Sequence, residues 1–400
     1  MQDYASLQAE YHALQRLSNK PGFPRALYFG QQEVPDGLSD FDAATKPAKV
    51  DITSSLSPSS SSPRAVLVMD VLGPSLERLL NETTLGTGDP RHRSSLLAES
   101  KCSSRQNVAD EGLNLPWGAG GLSPGTVIAL STQMIDRLES LSSCGIVHGD
   151  IQLGNFLMGK DGPHHRRTVH LIDFGLSAST RPSKGPSSPP CLDHASTSST
   201  GRYDSNCSDP PAGGSGVLSG RVSGTLDFSS SHVLQGLPPR PQDDLESLAY
   251  CLAYMLHGSL PWSKLLPSRS TLSLDPDGTA LSDLDSLEMT AEAIAKAKDS
   301  CGATGCLFTS AMGKDSGGGR IGSEEVGIAE RVIHRLLSEA KGLPNLGGVG
   351  LPDYRGLRRC AEEALVEMGV PEGADVILDW EAEGISWSPV DGSLTLEGYR

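Results

Sequence analysis

His148, Asp150 and Asn155, followed eighteen positions after Asn155 by Asp173-Phe174-Gly175, are the residues whose types and spacing point to chemistry. Phosphoryl transfer needs such a set. Hard oxygen ligands hold a divalent metal against the phosphates, and a carboxylate takes the proton of the attacking hydroxyl. Asp150 is read as the proton acceptor, and Asn155 and Asp173 as the metal ligands, with ATP and Mg²⁺ as cofactors. Asp-Phe-Gly alone is weak, since the tripeptide also occurs in plain turns, where both aspartates would be ordinary turn carboxylates. Context strengthens it. Phe156–Met158 and Val169–Ile172 read as two short strands of a hairpin, whose return lets the three side chains converge.

The elements that must position them are read from pattern. Leu7, Tyr11, Leu14 and Leu17 stripe a helix over 5–18. A strand over Arg25–Phe29 is ended by Gly30, and Ala65–Met69 is a second, buried strand. Leu72-Gly73-Pro74-Ser75 breaks it, and a helix begins at Leu76. Ser123 and Pro124 start an amphipathic helix carrying Val127, Leu130, Met134, Leu138 and Leu141 up to the candidate loop. Asp243–Leu256 reads as a helix buried on most sides. Further helices are expected near Thr290–Lys298, over Glu324–Ala340 and over Asp353–Met368. Stretches at about 31–63, 81–122, 177–222 and 264–330 are polar or Gly/Ser/Pro-rich and read as insertions, mostly disordered or irregular. They leave enough chain for one compact α+β domain rather than two.

The chain of 400 residues carries 33 Lys+Arg against 49 Asp+Glu, a net charge of −16. That balance argues against non-specific binding to nucleic acid or to an anionic membrane. No apolar run approaches the roughly 18 residues of a spanning helix, and Met1-Gln2-Asp3-Tyr4 lacks the basic-then-apolar pattern of a signal peptide. The 8 cysteines contain no C-x-x-C pair. They read as reduced, with Cys251 a small core hydrophobe, which implies cytosol or nucleus. Cys301 and Cys306 as zinc ligands is the weaker alternative. His164-His165-Arg166-Arg167 could suggest a metal or phosphate site, but reads as a solvated hairpin tip. The Ser-rich segments at 54–62 and 183–200 are candidate phosphorylation targets, although plain disorder explains them.

The chain resembles the casein kinase 1 family of Ser/Thr protein kinases. The similar stretches are Leu67-Val68-Met69-Asp70, Leu72-Gly73-Pro74-Ser75-Leu76-Glu77, Asp150 with Asn155-Phe156-Leu157-Met158-Gly159, and Ile172 to Leu176. Further on come Gly224-Thr225, Asp243 to Tyr250, Gly258-Ser259-Leu260-Pro261-Trp262, Pro352-Asp353-Tyr354 and Asp379-Trp380. Such a resemblance implies a bilobal kinase-like fold over 1–381, with an N-lobe remnant at 1–70, a mostly helical C-lobe at 71–381 and a tail at 382–400. It implies ATP between the lobes, with Val68–Leu72 as a hinge binding adenine through its backbone at Met69, Asp70 and Leu72, and Met69 guarding the back of the pocket. Glu10 falls where the family's helix glutamate pairs with a strand lysine; read alone it is a solvated helix residue. Asp244 would cap the catalytic-loop backbone by family pattern, or its own helix as an N-cap. The implied partners are protein substrates; oligomeric state is unknown.

Four departures stand out. No Gly-rich phosphate loop and no strand lysine precede Glu10 in this chain. Gly149 and Gln152 stand where the family has Arg and Lys. Gly224-Thr225-Leu226-Asp227 replaces a Gly-Thr-Ala-Arg, and Arg240-Pro241-Gln242 replaces a more basic run. Asp227 would then repel acidic or pre-phosphorylated peptides. The leading expectation is a Ser/Thr kinase transferring the γ-phosphate of ATP to protein hydroxyls. The alternatives are a catalytically impaired pseudokinase acting as a scaffold, or an N-terminally incomplete chain of an active kinase.

Overall fold

Ser123 opens a 21-residue helix of the core. A computed structural model of the protein describes residues 4–33, 63–85, 121–160, 162–180, 225–265, 281–304, 323–342, 350–390 and 392–396. The Ser-rich segments, Gly224, Cys306 and most of the expected insertions lie outside these residues. Helix α1 spans Tyr4–Leu17, and α2 spans Leu76–Leu85. In α3 (Pro124–Cys144) the Ser123 hydroxyl accepts from the Thr126 N–H at 3.3 Å, and Gly145, left-handed at φ 65°, ends the helix. The five apolar residues expected on one face of α3 are all buried. Asp379 ties this helix start to the far end of the chain. Its carboxylate accepts from the Ser123 N–H at 2.6 Å, the Ser123 hydroxyl at 2.5 Å and the Thr126 hydroxyl at 2.9 Å.

Four short helices and strands surround the candidate loop: β3 (Ile146–Val147), β4 (Phe156–Met158), α4 (Pro163–Arg166) and β5 (Val169–Leu171). Strands β4 and β5 pair antiparallel, Phe156 opposite Leu171, as the hairpin reading requires. Strand β6 (Ala178–Ser179) pairs with β3 and closes the loop's exit. Beyond it lie α5 (Ser231–Leu234), α6 (Pro241–His257), α7 (Leu281–Thr304), α8 (Ser323–Gly342), α9 (Tyr354–Glu367) and α10 (Asp379–Ala382). Helix α6 is the centre of the core, packed between α3 and α8, with Leu245, Leu248, Leu252 and Met255 at 0% exposure.

Strands β1 (Ala26–Glu33) and β2 (Pro63–Met69) pair antiparallel over α1. Gly30, expected to end the first strand, lies inside it. Glycine remains extended there because the Tyr28 ring fills its empty side; a Cβ would lie 2.2 Å from the Tyr28 hydroxyl. Helix α7 runs well beyond the Thr290–Lys298 expected, starting at Leu281 inside a stretch read as irregular. The C-terminal tail is also structured. Strands β7 (Ile385–Trp387) and β8 (Leu394–Leu396) form a hairpin. The buried Trp387 indole donates to the Gly159 carbonyl at 3.2 Å. Within the 164–167 tip His164 and His165 face solvent, whereas the two arginines grip this end of the chain: Arg166 lies 5.3 Å over the Trp387 ring, and Arg167 pairs with Glu381 and with Asp375 at 3.3 Å.

Truncating Leu248 tests where the core sits. Leu248→Ala is expected to cost about 3 kcal/mol, read as a lower urea midpoint at unchanged slope.

Candidate active site

Two backbone N–H groups of the catalytic loop end on one buried carboxylate. Asp244 Oδ2 accepts from the His148 N–H at 2.7 Å, and Oδ1 from the Gly149 N–H at 2.9 Å. The N-terminal turn of α6 is capped instead by Asp243, whose Oδ2 accepts from the Arg240 N–H at 2.7 Å. Of the two readings of Asp244, the loop cap is therefore the one realised. Burial pushes its carboxyl up to about 7 against the pull of those two N–H donors. Gly149 bends the loop at φ 81°, and a Cβ there would lie 2.9 Å from the Leu176 carbonyl. A side chain at this position would press on the segment after Asp-Phe-Gly.

His148 locks the loop from inside. It is fully buried, and its Nδ1 accepts from the Asp150 N–H at 3.3 Å. Its Nε2 must then carry the proton and donate to the Ile172 carbonyl at 3.0 Å. Burial holds its pKa below the ordinary value. Phe174 packs against it at a 60° tilt, with centroids 5.0 Å apart, and meets Phe23 at 6.1 Å.

Asp150 is oriented by three donors. Its Oδ1 accepts from the Thr225 N–H at 3.0 Å, and its Oδ2 from the Gln152 amide at 2.8 Å and the Asn155 amide at 3.3 Å. The Asn155 amide also reaches the Asp150 carbonyl at 2.9 Å. A carboxylate offers about four lone-pair sites, so Oδ1 retains one for an incoming hydroxyl. With its nitrogen spent on Asp150, Asn155 turns its amide oxygen to other use. Asp173, at φ 65°, is the one non-glycine residue with positive φ among the described residues. Its Oδ1 accepts from the Gly175 N–H at 3.3 Å. Such a conformation costs on the order of 1 kcal/mol.

Glu10 is placed differently from expectation. It is 5% exposed, so it is no solvated helix residue, and its carboxylate faces the backbone N–H groups of Phe174 and Asp173 rather than a lysine. Burial, then the nearby Asp173 charge, raises its pKa. Ser6 adds a second tie from α1, its hydroxyl donating to the Gly175 carbonyl at 3.2 Å. Of the expected hinge, Met69 packs partly buried against the core and Leu72 is half-buried. Asp70 forks with Arg25 at 2.9 and 3.0 Å, and its backbone N–H donates to the Arg25 carbonyl at 3.1 Å. That amide is spent inside the chain, which removes Asp70 N–H as a free donor to a base.

Asp227 also departs from expectation. Its Oδ1 is buried with no hydrogen-bond partner among the described residues, and its nearest opposing charge is Lys298. The residue as a whole is half-buried, with that one oxygen withdrawn from solvent. Thr225 as an orienter of Asp150 was missed in the sequence, because a backbone N–H leaves no mark on residue type, and Gln152 was read only as the loss of a Lys.

A family model described as fungal protein kinase matches residues 123–256. Casein kinase I homolog 2 of Saccharomyces cerevisiae is 26% identical over 259 residues, 65% of this chain and 31% of that protein. Casein kinase I homolog RAG8 of Kluyveromyces lactis is 26% identical over 276 residues, 69% of this chain and 35% of its own. Casein kinase I homolog 3 of Schizosaccharomyces pombe is 26% identical over 259 residues, 65% and 39%. The match thus spans between 31% and 39% of these relatives' length. Residues 123–256 are thus similar to fungal protein kinases, and the chain is similar to casein kinase I homologues over about two thirds of its length. No described helix is long and apolar enough to cross a membrane.

A neutral His148 has a pH signature. A histidine whose folded pKa is depressed contributes stability that is complete above about 6.5 and is lost as pH falls below it. ¹⁵N NMR of the His148 ring is expected to find the Nε2–H tautomer, with a pKa below that of a free histidine; a pKa at or above the free value would contradict this geometry.

Proposed function

We propose that the chain transfers the γ-phosphate of ATP to serine or threonine hydroxyls of protein substrates, with Mg²⁺ as the metal. The observation that carries this reading is the orientation of Asp150 by Thr225, Gln152 and Asn155, with one lone pair of Oδ1 left over. In this reading Asp150 accepts the proton of the acceptor hydroxyl, and Asn155 and Asp173 hold the metal. The donor set fits: an amide oxygen and a carboxylate are hard ligands, and no cluster of three or more His, Cys, Asp or Glu forms a cage among the described residues. Magnesium is ordinarily held by one or two protein oxygens together with phosphates and water. When bound, the metal supplies charge neutralisation on the phosphates. His148 and Asp244 keep the loop in shape, and Glu10 holds the backbone of Asp173 in place. Met69 and Leu72 would line the adenine side.

Gln152 favours a second reading, a catalytically impaired chain that binds nucleotide and acts as a scaffold. A neutral amide donates to Asp150 but adds no positive charge to the transferring phosphate. One assay separates the two. The first reading expects γ-phosphate transfer to a serine peptide, reduced about 10²-fold or more in Asp150→Asn. Asp173→Asn should abolish the magnesium dependence of the nucleotide-induced thermal shift. Equal background transfer in wild type and Asp150→Asn, with the thermal shift intact, favours the scaffold. No magnesium–nucleotide shift in wild type overturns both.

A further inference from the structure

Lys298 of α7 is 0% exposed, and it sits in the core with no carboxylate in hydrogen-bond contact. Its ammonium lies 4.9 Å from the Tyr250 ring centroid and 4.8 Å from that of Trp262. Its Nζ donates to the Leu226 carbonyl at 2.9 Å and the Ser229 carbonyl at 2.6 Å. Burying a lysine is costly, and here its donors go to the backbone of one short segment. That segment is knotted further. The Thr225 carbonyl accepts from the Phe228 and Ser229 N–H groups at 3.1 and 3.0 Å, and the Trp262 indole donates to the Asp227 carbonyl at 2.9 Å. Its free end is Thr225, whose N–H is the donor on Asp150 Oδ1.

We propose that Lys298 is a positioning residue, which acts through the 225–229 backbone to aim the Thr225 N–H at Asp150 and so sets the face on which the acceptor hydroxyl lies. The chain of contacts is continuous: ammonium, two carbonyls, a closed turn, one N–H, the carboxylate. Tyr250 and Trp262, set edge to face with centroids 4.8 Å apart, supply two π faces in place of water.

Charge couples to this hold. Glu246, Tyr250 and Cys251 of α6, Asp227 of the segment and Lys341 of α8 face the ammonium. Burial outweighs Glu246 and Asp227 and brings Lys298 down to about 7. A closed segment that lowers the lysine's pKa is itself disfavoured when the lysine takes its proton. The neutral amine keeps two N–H donors for the Leu226 and Ser229 carbonyls, so the segment tightens as pH rises above about 7.

The inference rests on the kinase reading for its catalytic consequence, but its structural half is measured without activity. Amide exchange in Lys298→Met is expected to quicken about tenfold across 225–229, with 153–158 unchanged. In an active chain the same variant lowers kcat while KM for ATP holds. Unchanged exchange at 225–229 in a folded Lys298→Met overturns the proposal. Should that variant not fold, the wild type decides. After correction for intrinsic exchange, protection of 225–229 that climbs from pH 6 to 8 supports it, and flat protection overturns it. Wild-type transfer no greater than that of Asp150→Asn removes the kinase reading and leaves the exchange result to judge Lys298 alone.

Discussion

A single buried carboxylate, Asp244, gives the catalytic loop its shape. Its two oxygens take the N–H groups of His148 and Gly149, neighbours on a strand-to-loop corner that no regular ladder could satisfy. The carboxylate stands on α6, the most buried helix, so the loop's geometry is borrowed from the core. His148 then repeats the pattern one layer further out, joining the Asp150 N–H to the Ile172 carbonyl beside Asp-Phe-Gly. Groups held this way move only if the core moves, which is the preorganisation that the proposed phosphoryl transfer would require.

The two ends of the site are held by different means. Asp173 keeps a left-handed backbone that Asp tolerates at modest cost, and Glu10 and Ser6 of α1 hold the turn around it. On the other side, Asp150 is aimed by an amide side chain, a second amide and one backbone N–H. The lysine that the family resemblance would place at 152 is replaced by Gln152, which orients the base without adding charge. Orientation and charge are thus separable in this loop, and the chain retains the first.

Much of this was legible in the sequence. The periodic apolar residues of α3 and α6 fixed both helices, because burial on a 3.6-residue repeat leaves a clear trace. Asp150 and Asn155 meet in one hydrogen-bonded set, and the hairpin's return is tied by the Ile172 N–H on the Asn155 carbonyl. Asp244 was one of two readings, and only the fold distinguishes a cap on the loop from a cap on its own helix. What sequence could not carry lies in the backbone and in long-range packing. The Thr225 N–H on Asp150 has no side-chain signature. Glu10 gave its position but not its partner. Trp387, read as tail, packs against Gly159 across more than half the chain, and nothing local announces such a contact. Asp227 looked like surface charge because its type is usually exposed, whereas the fold withdraws one of its oxygens from solvent.

The account stands on the carboxylate of Asp244, so its most direct test is calorimetric titration of Asp244→Asn with a magnesium-bound, non-hydrolysable ATP analogue. The amide presents donors where two backbone N–H groups need acceptors. The account predicts a folded variant, by circular dichroism, whose affinity falls about tenfold or more. An affinity equal to wild type would contradict it.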